Sequence, residues 1–167
     1  MKKLYTIWII PPEPVYSEVK KIINSLSEKY SGPEFEPHMT LLGNIDLPLP
    51  EVIKRTRVLA KSIKKLNLIS GPVFFSTTYF QSALLRINSS AELIQLNLEA
   101  KKLMDMNNDV FMPHISLMYG DHSMEIRERA ASEIKFPKAS FVAYKFTITP
   151  STKNPLEWKH LEEIAFG

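Results

Sequence analysis

Two six-residue stretches with one spelling constrain this chain more than any other feature. Residues 37–42 are Pro37-His38-Met39-Thr40-Leu41-Leu42, and residues 113–118 are Pro113-His114-Ile115-Ser116-Leu117-Met118. Both read Pro-His-apolar-hydroxyl-Leu-apolar. Taken as β-strands, their side chains alternate between two faces. His38 and Thr40 then share one face, with Met39 and Leu41 on the other. His114 and Ser116 share a face in the same way, opposite Ile115 and Leu117. The apolar face anchors each strand while the other presents an imidazole and a hydroxyl. The remaining chain reads as the scaffold that brings those two faces together.

That scaffold has a repeated order. Residues 4–10 are β-branched and aromatic and predict a strand, which Pro11, Pro12 and Pro14 end. Val15, Val19, Ile22, Leu26 and Tyr30 then mark one face of a helix, stopped by Ser31-Gly32-Pro33. The first His strand is expected over 35–43 and a basic second helix from Ile53 to Leu66. Strands are expected over 68–75, interrupted by Gly71-Pro72, and over 79–88. Ser89 and Glu92 have capping-box spacing ahead of a third helix bearing Leu93, Leu96, Ala100 and Leu103. Asn107-Asn108-Asp109 reads as a turn before the second His strand, 110–119. Ser123 is positioned to cap a fourth helix, and strands are expected over 141–148 and 158–166. Strand, helix, His strand, helix thus occurs twice, over 4–66 and 79–134. The expected class is α+β, a single 1–167 domain of two pseudo-symmetric lobes. Antiparallel sheets would line a central cleft, with the C-terminal strands added and helices outside.

Composition narrows the chemistry. The chain has 167 residues and no Cys, which removes disulfides, thiolate metal ligands and thiol nucleophiles, and suits a reducing compartment. The apolar run after Lys2-Lys3 stops at Pro11, too short for a signal-peptide core. No stretch approaches the roughly 20 apolar residues of a membrane span. These features predict a cytoplasmic, soluble protein, with a monomer as the default. A net charge of +3 favours anionic ligands but is too small to argue for tight binding to long nucleic acid.

Two histidines with two hydroxyls suit acid–base chemistry on a phosphate. Imidazole ionises near roughly pH 6.5, so one ring can take a proton from water while the other gives one to a leaving oxygen. Hydroxyls of Thr40 and Ser116 can donate to non-bridging oxygens where negative charge grows. A strained cyclic phosphodiester needs no metal for this. A lone His-x-Ser/Thr would most often be structural; two copies at matching places in a repeated unit weigh the other way.

The chain also resembles a known family. The two Pro-His motifs match the paired H-x-[ST] signature of the two-histidine (2H) phosphoesterase superfamily. Residues 5–12, 32–41, 79–85, 112–119 and 156–158 resemble its plant and fungal cyclic phosphodiesterases. The resemblance implies a bilobal fold, no cofactor and no metal. It implies hydrolysis of a ribose cyclic phosphate, either ADP-ribose 1″,2″-cyclic phosphate or a nucleoside 2′,3′-cyclic phosphate, with tRNA splicing as the source of the former. It makes His38, Thr40, His114 and Ser116 catalytic, with His114 as base and His38 as acid, although the residues themselves do not separate those roles. It also places Tyr119 on the substrate. Strict alternation turns Tyr119 to the opposite face from His114, so it reaches the cleft only if the strand ends near Met118, as Gly120-Asp121 suggests. Phe80 is a further candidate for substrate binding, weighed equally against core packing.

Other features have plainer readings. Lys54, Arg55, Arg57, Lys61, Lys64 and Lys65 lie on one helix, where a solvated outer face is favoured over an RNA-contacting patch. Trp8 and Trp158 are expected in the core, and His122 and His160 at the surface. No metal-binding or Gly-rich phosphate motif is present. Two alternatives to a small-molecule enzyme stay open: a 2H phosphodiesterase acting on RNA ends or oligonucleotides, and a non-catalytic phosphate- or RNA-binding module.

Overall fold

The computed structural model describes residues 3–107 and 110–167. Eight strands form one antiparallel sheet: β1 (Tyr5–Ile9), β2 (Met39–Ile45), β3 (Leu66–Phe74), β4 (Ala83–Ile87), β5 (His114–Met118), β6 (Ser140–Ala143), β7 (Lys145–Pro150) and β8 (Glu162–Ala165). Four helices accompany them: α1 (Val15–Tyr30), α2 (Leu49–Lys61), α3 (Ala91–Leu103) and α4 (Met124–Glu133). The strand order is β6-β3-β4-β5-β2-β1-β7-β8. The order is the same outward from the centre in both directions: a His strand, its neighbour, then two more. The α+β class is as expected. α1 follows β1 but packs on β5, and α3 follows β4 but packs on β2. The helices therefore stitch the two half-sheets together.

β6 and β7 sit near opposite ends of the sheet, yet only Tyr144 separates them. The sheet must curl until its ends meet at that corner, which breaks the expected 141–148 strand in two. One face is apolar and carries the helices, with Ile7, Ile9, Met39, Leu41, Ile115, Leu117, Phe146 and Ile148 all at most 1% exposed. The alternate positions Thr6, Trp8, Thr40, His114 and Ser116 lie on the other face, which lines the cleft.

Several boundaries differ from the sequence expectation. β2 starts at Met39 because the Glu36 carbonyl is taken by the His38 ring and Pro37 has no N–H for a ladder. The stretch 110–113 stays out of β5 for the same reason, through Met112 and Pro113. Gly71-Pro72 does not interrupt β3; a register shift between Ser70 and Val73 absorbs it. Residues 79–81 form a 3₁₀ turn rather than strand. α2 stops at Lys61, and the Gly167 N–H bonds the Ala60 and Ile63 carbonyls beyond its last turn. The cap of α3 is Ser90, not Ser89, with its hydroxyl accepting from Leu93 N–H at 3.1 Å. Ser123 caps α4 as its position suggested. The turn expected at 107–109 lies partly outside the described residues.

One buried side chain holds two loops in register. Arg127 on α4 is 2% exposed and pairs with no carboxylate among the described residues. Its guanidinium donates to the carbonyls of Ser76 and Thr78 (both 2.7 Å), His122 (2.9 Å) and Gly120 (3.1 Å). The five-donor fork suits this task, since one planar group satisfies four acceptors. Arg127 thereby ties the loop before β4 to the end of β5. Arg127→Met strands those carbonyls and is expected to cost at least about 2–4 kcal/mol, read from the shift of the urea midpoint. Arg127→Lys, lacking the fork, should recover only a minor part.

Candidate active site

The central strands meet at one residue pair, Met39 opposite Ile115. Extending that antiparallel register by one position in each direction sets His38 across from Ser116 and Thr40 across from His114. All four lie on one face because 38, 40, 114 and 116 are one step from the pair. They line a single cavity of about 350 Å³. Tyr119 and Phe80 line the same cavity. Tyr119 turns inward because β5 ends at Met118, releasing the next residue from alternation.

Both histidines are held by the same device. His38 Nδ1 lies 2.7 Å from the Glu36 carbonyl, and His114 Nδ1 lies 2.7 Å from the Met112 carbonyl. A carbonyl only accepts, so Nδ1 carries the hydrogen and Nε2 is the unengaged nitrogen of each neutral ring. The proline between His and carbonyl fixes φ and shapes this turn-back.

The surroundings of the two rings differ. His38 is 7% exposed, stacked flat on Trp8 with centroids 3.7 Å apart, and edged by Trp158 at 5.5 Å. Burial pushes its pKa down to about 4, with the Glu36 carbonyl opposing and His114 adding slightly. His114 is half-buried, and its pKa is also lowered, first by desolvation and then by the Arg86 cation, against the Met112 bond. The hydroxyls differ too. Ser116 donates to the Phe80 carbonyl at 2.7 Å, so it must rotate before it can donate to a ligand. Tyr119 stacks on Phe35 at 3.8 Å and meets Phe80 edge-on at 5.1 Å, and burial raises its pKa well above the ordinary phenol range. These rings make one aromatic wall. The opposite end is polar, with Thr6, Asn44, Ser151 and Thr152.

Trp8 and Trp158 are therefore more than core residues, since both line the cavity. Alternation with Thr6, a polar residue inside an apolar strand, was the available signal for Trp8. Gln81, Ser151 and Thr152 carried no such signal, because a 3₁₀ turn and a loop bring them in, and Asn44 lies near the end of β2 at φ 56°, off the strand's alternation. His122 is half-buried, with Nε2 3.3 Å from the Tyr119 carbonyl, and His160 pairs with Glu36 at 2.7 Å. The α2 cations are partly committed: Lys54 and Arg55 to Glu51, Arg55 also to Asp105, and Arg57 to Glu162. Among the described residues, no group of three or more His, Asp or Glu side chains could hold a metal ion, and no helix is long and apolar enough to cross a membrane.

A curled antiparallel sheet presenting two His-x-hydroxyl strands to one cavity defines a two-histidine phosphoesterase. A family model described as cyclic phosphodiesterase-like protein matches residues 4–166, so the chain belongs to that family, whose members act on phosphodiester bonds. A cyclic phosphodiesterase from Arabidopsis thaliana is 25% identical over 130 residues, covering 77% of this chain and 72% of the relative. Among solved structures, TT0787 of Thermus thermophilus superposes with a TM-score of 0.68 at 14% identity, covering 98% of this chain and 97% of its own. E. coli LigT, solved with 3′-AMP, gives 0.63 at 17% identity and 98% coverage of both. These two likenesses extend the fold, not the activity.

The depressed His38 pKa makes a stability prediction. Unfolded, the ring protonates near pH 6.5; folded, it resists protonation until about pH 4. Between those values the unfolded chain binds the proton and the native chain does not, so stability present above pH 6.5 is lost as pH falls toward 4. The loss attributable to this ring is roughly 3 kcal/mol. The difference in unfolding free energy between pH 7 and pH 4, read from urea titrations, should narrow by that amount in His38→Asn relative to the parent chain.

Proposed function

We propose that this chain hydrolyses a ribose cyclic phosphate to a phosphomonoester by paired-histidine acid–base catalysis, without a metal. The observation that supports it most is the matched pair of Nδ1-anchored rings, each with a free Nε2, on one cavity. His114 takes a proton from water through Nε2, and the water oxygen attacks phosphorus. The bond to one ribose oxygen breaks, and that oxygen receives the proton from His38. Thr40 donates to a non-bridging oxygen, and Ser116 joins it after leaving the Phe80 carbonyl. Tyr119 and Phe80, with Trp158, pack on the nucleoside.

The role assignment follows from environment. His38 is enclosed by rings with no cation beside it, so a bound phosphate anion raises its affinity for a proton most strongly. His114 has a cation on its own face, which favours the neutral form a base requires. Substrates of the class include ADP-ribose 1″,2″-cyclic phosphate and nucleoside 2′,3′-cyclic phosphates. Solved complexes of E. coli LigT with 3′-AMP, NADP+ and ATP are consistent with a nucleotide-sized ligand for this fold. An RNA track along α2 gains no support, since three of its cations are paired and the helix packs on α3, β7 and β8. On this reading the protein is a single-domain, cytoplasmic monomer, in keeping with its cysteine-free composition.

His38→Ala and His114→Ala should each reduce turnover of a cyclic phosphate by at least about 10³-fold while the far-UV circular dichroism is unchanged. Product identity comes from phosphorus NMR, and full turnover by either variant would exclude the mechanism. EDTA should leave activity intact. The pH dependence follows from the two lowered pKa values. Because kcat/KM reports free-enzyme ionisations, its bell should peak on the acid side of pH 6.5. A maximum at pH 8 would contradict the environments described for both rings.

A further inference from the structure

The two Pro-His stretches share a backbone device but not the residue that supplies its carbonyl, which is Glu36 in one half and Met112 in the other. The turns behind the two rings are also fixed differently. On the His114 side the strand ladder runs on past the histidine. Arg86 pairs with His114, and the next residue, Ile87, donates its N–H to the Pro113 carbonyl at 3.0 Å. On the His38 side, β1 pairs Trp8 with Thr40 and Ile9 with Met39. The same register sets Pro11 opposite Pro37, and proline has no N–H to donate. The turn that anchors His38 therefore lacks the backbone bond that its counterpart has.

Side chains take that place, and they converge on Glu36. His160 Nε2 lies 2.7 Å from Glu36 Oε2, and the Tyr16 hydroxyl on α1 lies 3.4 Å from Oε1. A carboxylate only accepts, so both groups donate to it. One residue back, Lys20 on α1 donates to the Phe35 carbonyl at 3.0 Å. The segment carrying His160 is itself seated, with the Leu161 N–H on the Ile148 carbonyl of β7 at 2.8 Å. Through one carboxylate, Glu36 thus joins α1, the segment before β8 and the His38 turn, while its backbone carbonyl holds His38 Nδ1. The same segment reaches the imidazole directly as well, where Trp158 meets it edge-on. The Glu36 and His160 side chains are 29% and 35% exposed, and a pair so open to water adds little to stability. What the pair does set is the orientation of the peptide between Glu36 and Pro37.

We propose that Glu36 is a positioning residue for His38. Its carboxylate, clasped by His160 and Tyr16, fixes the peptide whose carbonyl accepts from Nδ1–H. That keeps the Nε2 of His38 unprotonated in the neutral ring and aimed into the cavity. The effect on rate rests on the paired-histidine reading; the effect on the ring does not.

Long-range proton–nitrogen correlation spectra at pH 7 read the tautomer of each ring, with His114 as a control inside every sample. The parent chain is expected to show the Nδ1–H form at both rings. Glu36→Ala should turn His38 into a mixture of Nδ1–H and Nε2–H forms while His114 keeps its own. It should also lower kcat for a cyclic phosphate at least about tenfold with KM little changed, as expected of a misaimed proton donor. Glu36→Gln keeps an oxygen for His160 and Tyr16 and should recover most of both losses. His160→Ala opens the clasp from its other side and should move His38 in the same direction. A His38 tautomer unchanged in both alanine variants would overturn the assignment, and so would equal changes at the two rings, which mark general loosening. Should Glu36→Ala fail to fold, as its urea midpoint would show, His160→Ala decides. If the parent chain hydrolyses no cyclic phosphate, the catalytic reading fails, while the His38 spectrum still decides Glu36.

Discussion

The pairing of Met39 with Ile115 is the constraint on which the site depends. It is the register at which the two half-sheets join, and each partner follows a histidine directly. An antiparallel pair has a local two-fold axis between its residues, so whatever flanks Met39 is mirrored by what flanks Ile115. The histidines and hydroxyls form a crossed quartet for this reason alone. A slip of one residue would turn all four into the helix-covered core and push Met39 and Ile115 into the cleft. The apolar residues between the functional ones are what prevent the slip, since burying them against α1 and α3 is worth far more than any hydrogen bond in the cleft.

Symmetry builds the quartet, and departures from symmetry give its members different surroundings. Trp8 stacks on His38, whereas His114 has Arg86 across the strand. Ser116 is hydrogen-bonded to a loop carbonyl on β4's approach, and Thr40 sits beside Trp8 in the ladder. The loops differ most. Residues 151–158 wall one end of the cleft, tied down by the Trp158 indole on the Thr152 carbonyl at 2.9 Å and by Lys153 lying 4.6 Å over the Tyr79 ring. The matching segment after β3 supplies Phe80 and Gln81 to the cavity instead of a tryptophan. An acid–base pair needs such a difference, because two rings in identical surroundings would compete for the same proton.

Much of this was legible before the fold was seen, where local rules and tertiary packing agree. Alternation in the two Pro-His stretches is enforced by the same burial that forms the sheet, so the placement of Thr40, His38, His114 and Ser116 on shared faces could be read directly. Tyr119 depended on where a strand stops, and Gly120-Asp121 carried that signal. The split at Tyr144 did not show, because residues 141–148 are β-prone throughout and only the closure of the sheet forces a corner. Glu36 and Met112 were silent for another reason: a backbone carbonyl serves as a partner whatever side chain it carries. Arg86 was hidden by register, since nothing in residues 83–87 says which residue of β5 they will face. Arg127 carried no signal either, since the four carbonyls that converge on it come from two separate loops.

Among the described residues, the cavity wall carries no ionisable side chains other than His and Tyr, which bears on turnover itself. A cyclic phosphodiester carries one negative charge and the product monoester gains a second near neutral pH. In a neutral, partly desolvated cavity the added charge is disfavoured, since only hydroxyls and imidazolium oppose it. On the proposed mechanism the reaction leaves His114 protonated and His38 neutral, so one compensating charge is present when the product forms. Burial opposes that charge while the product anion favours it, so on this mechanism His114 gives up its proton as the product leaves. On that mechanism the desolvation that lowers the His114 pKa restores the neutral base once the product has gone.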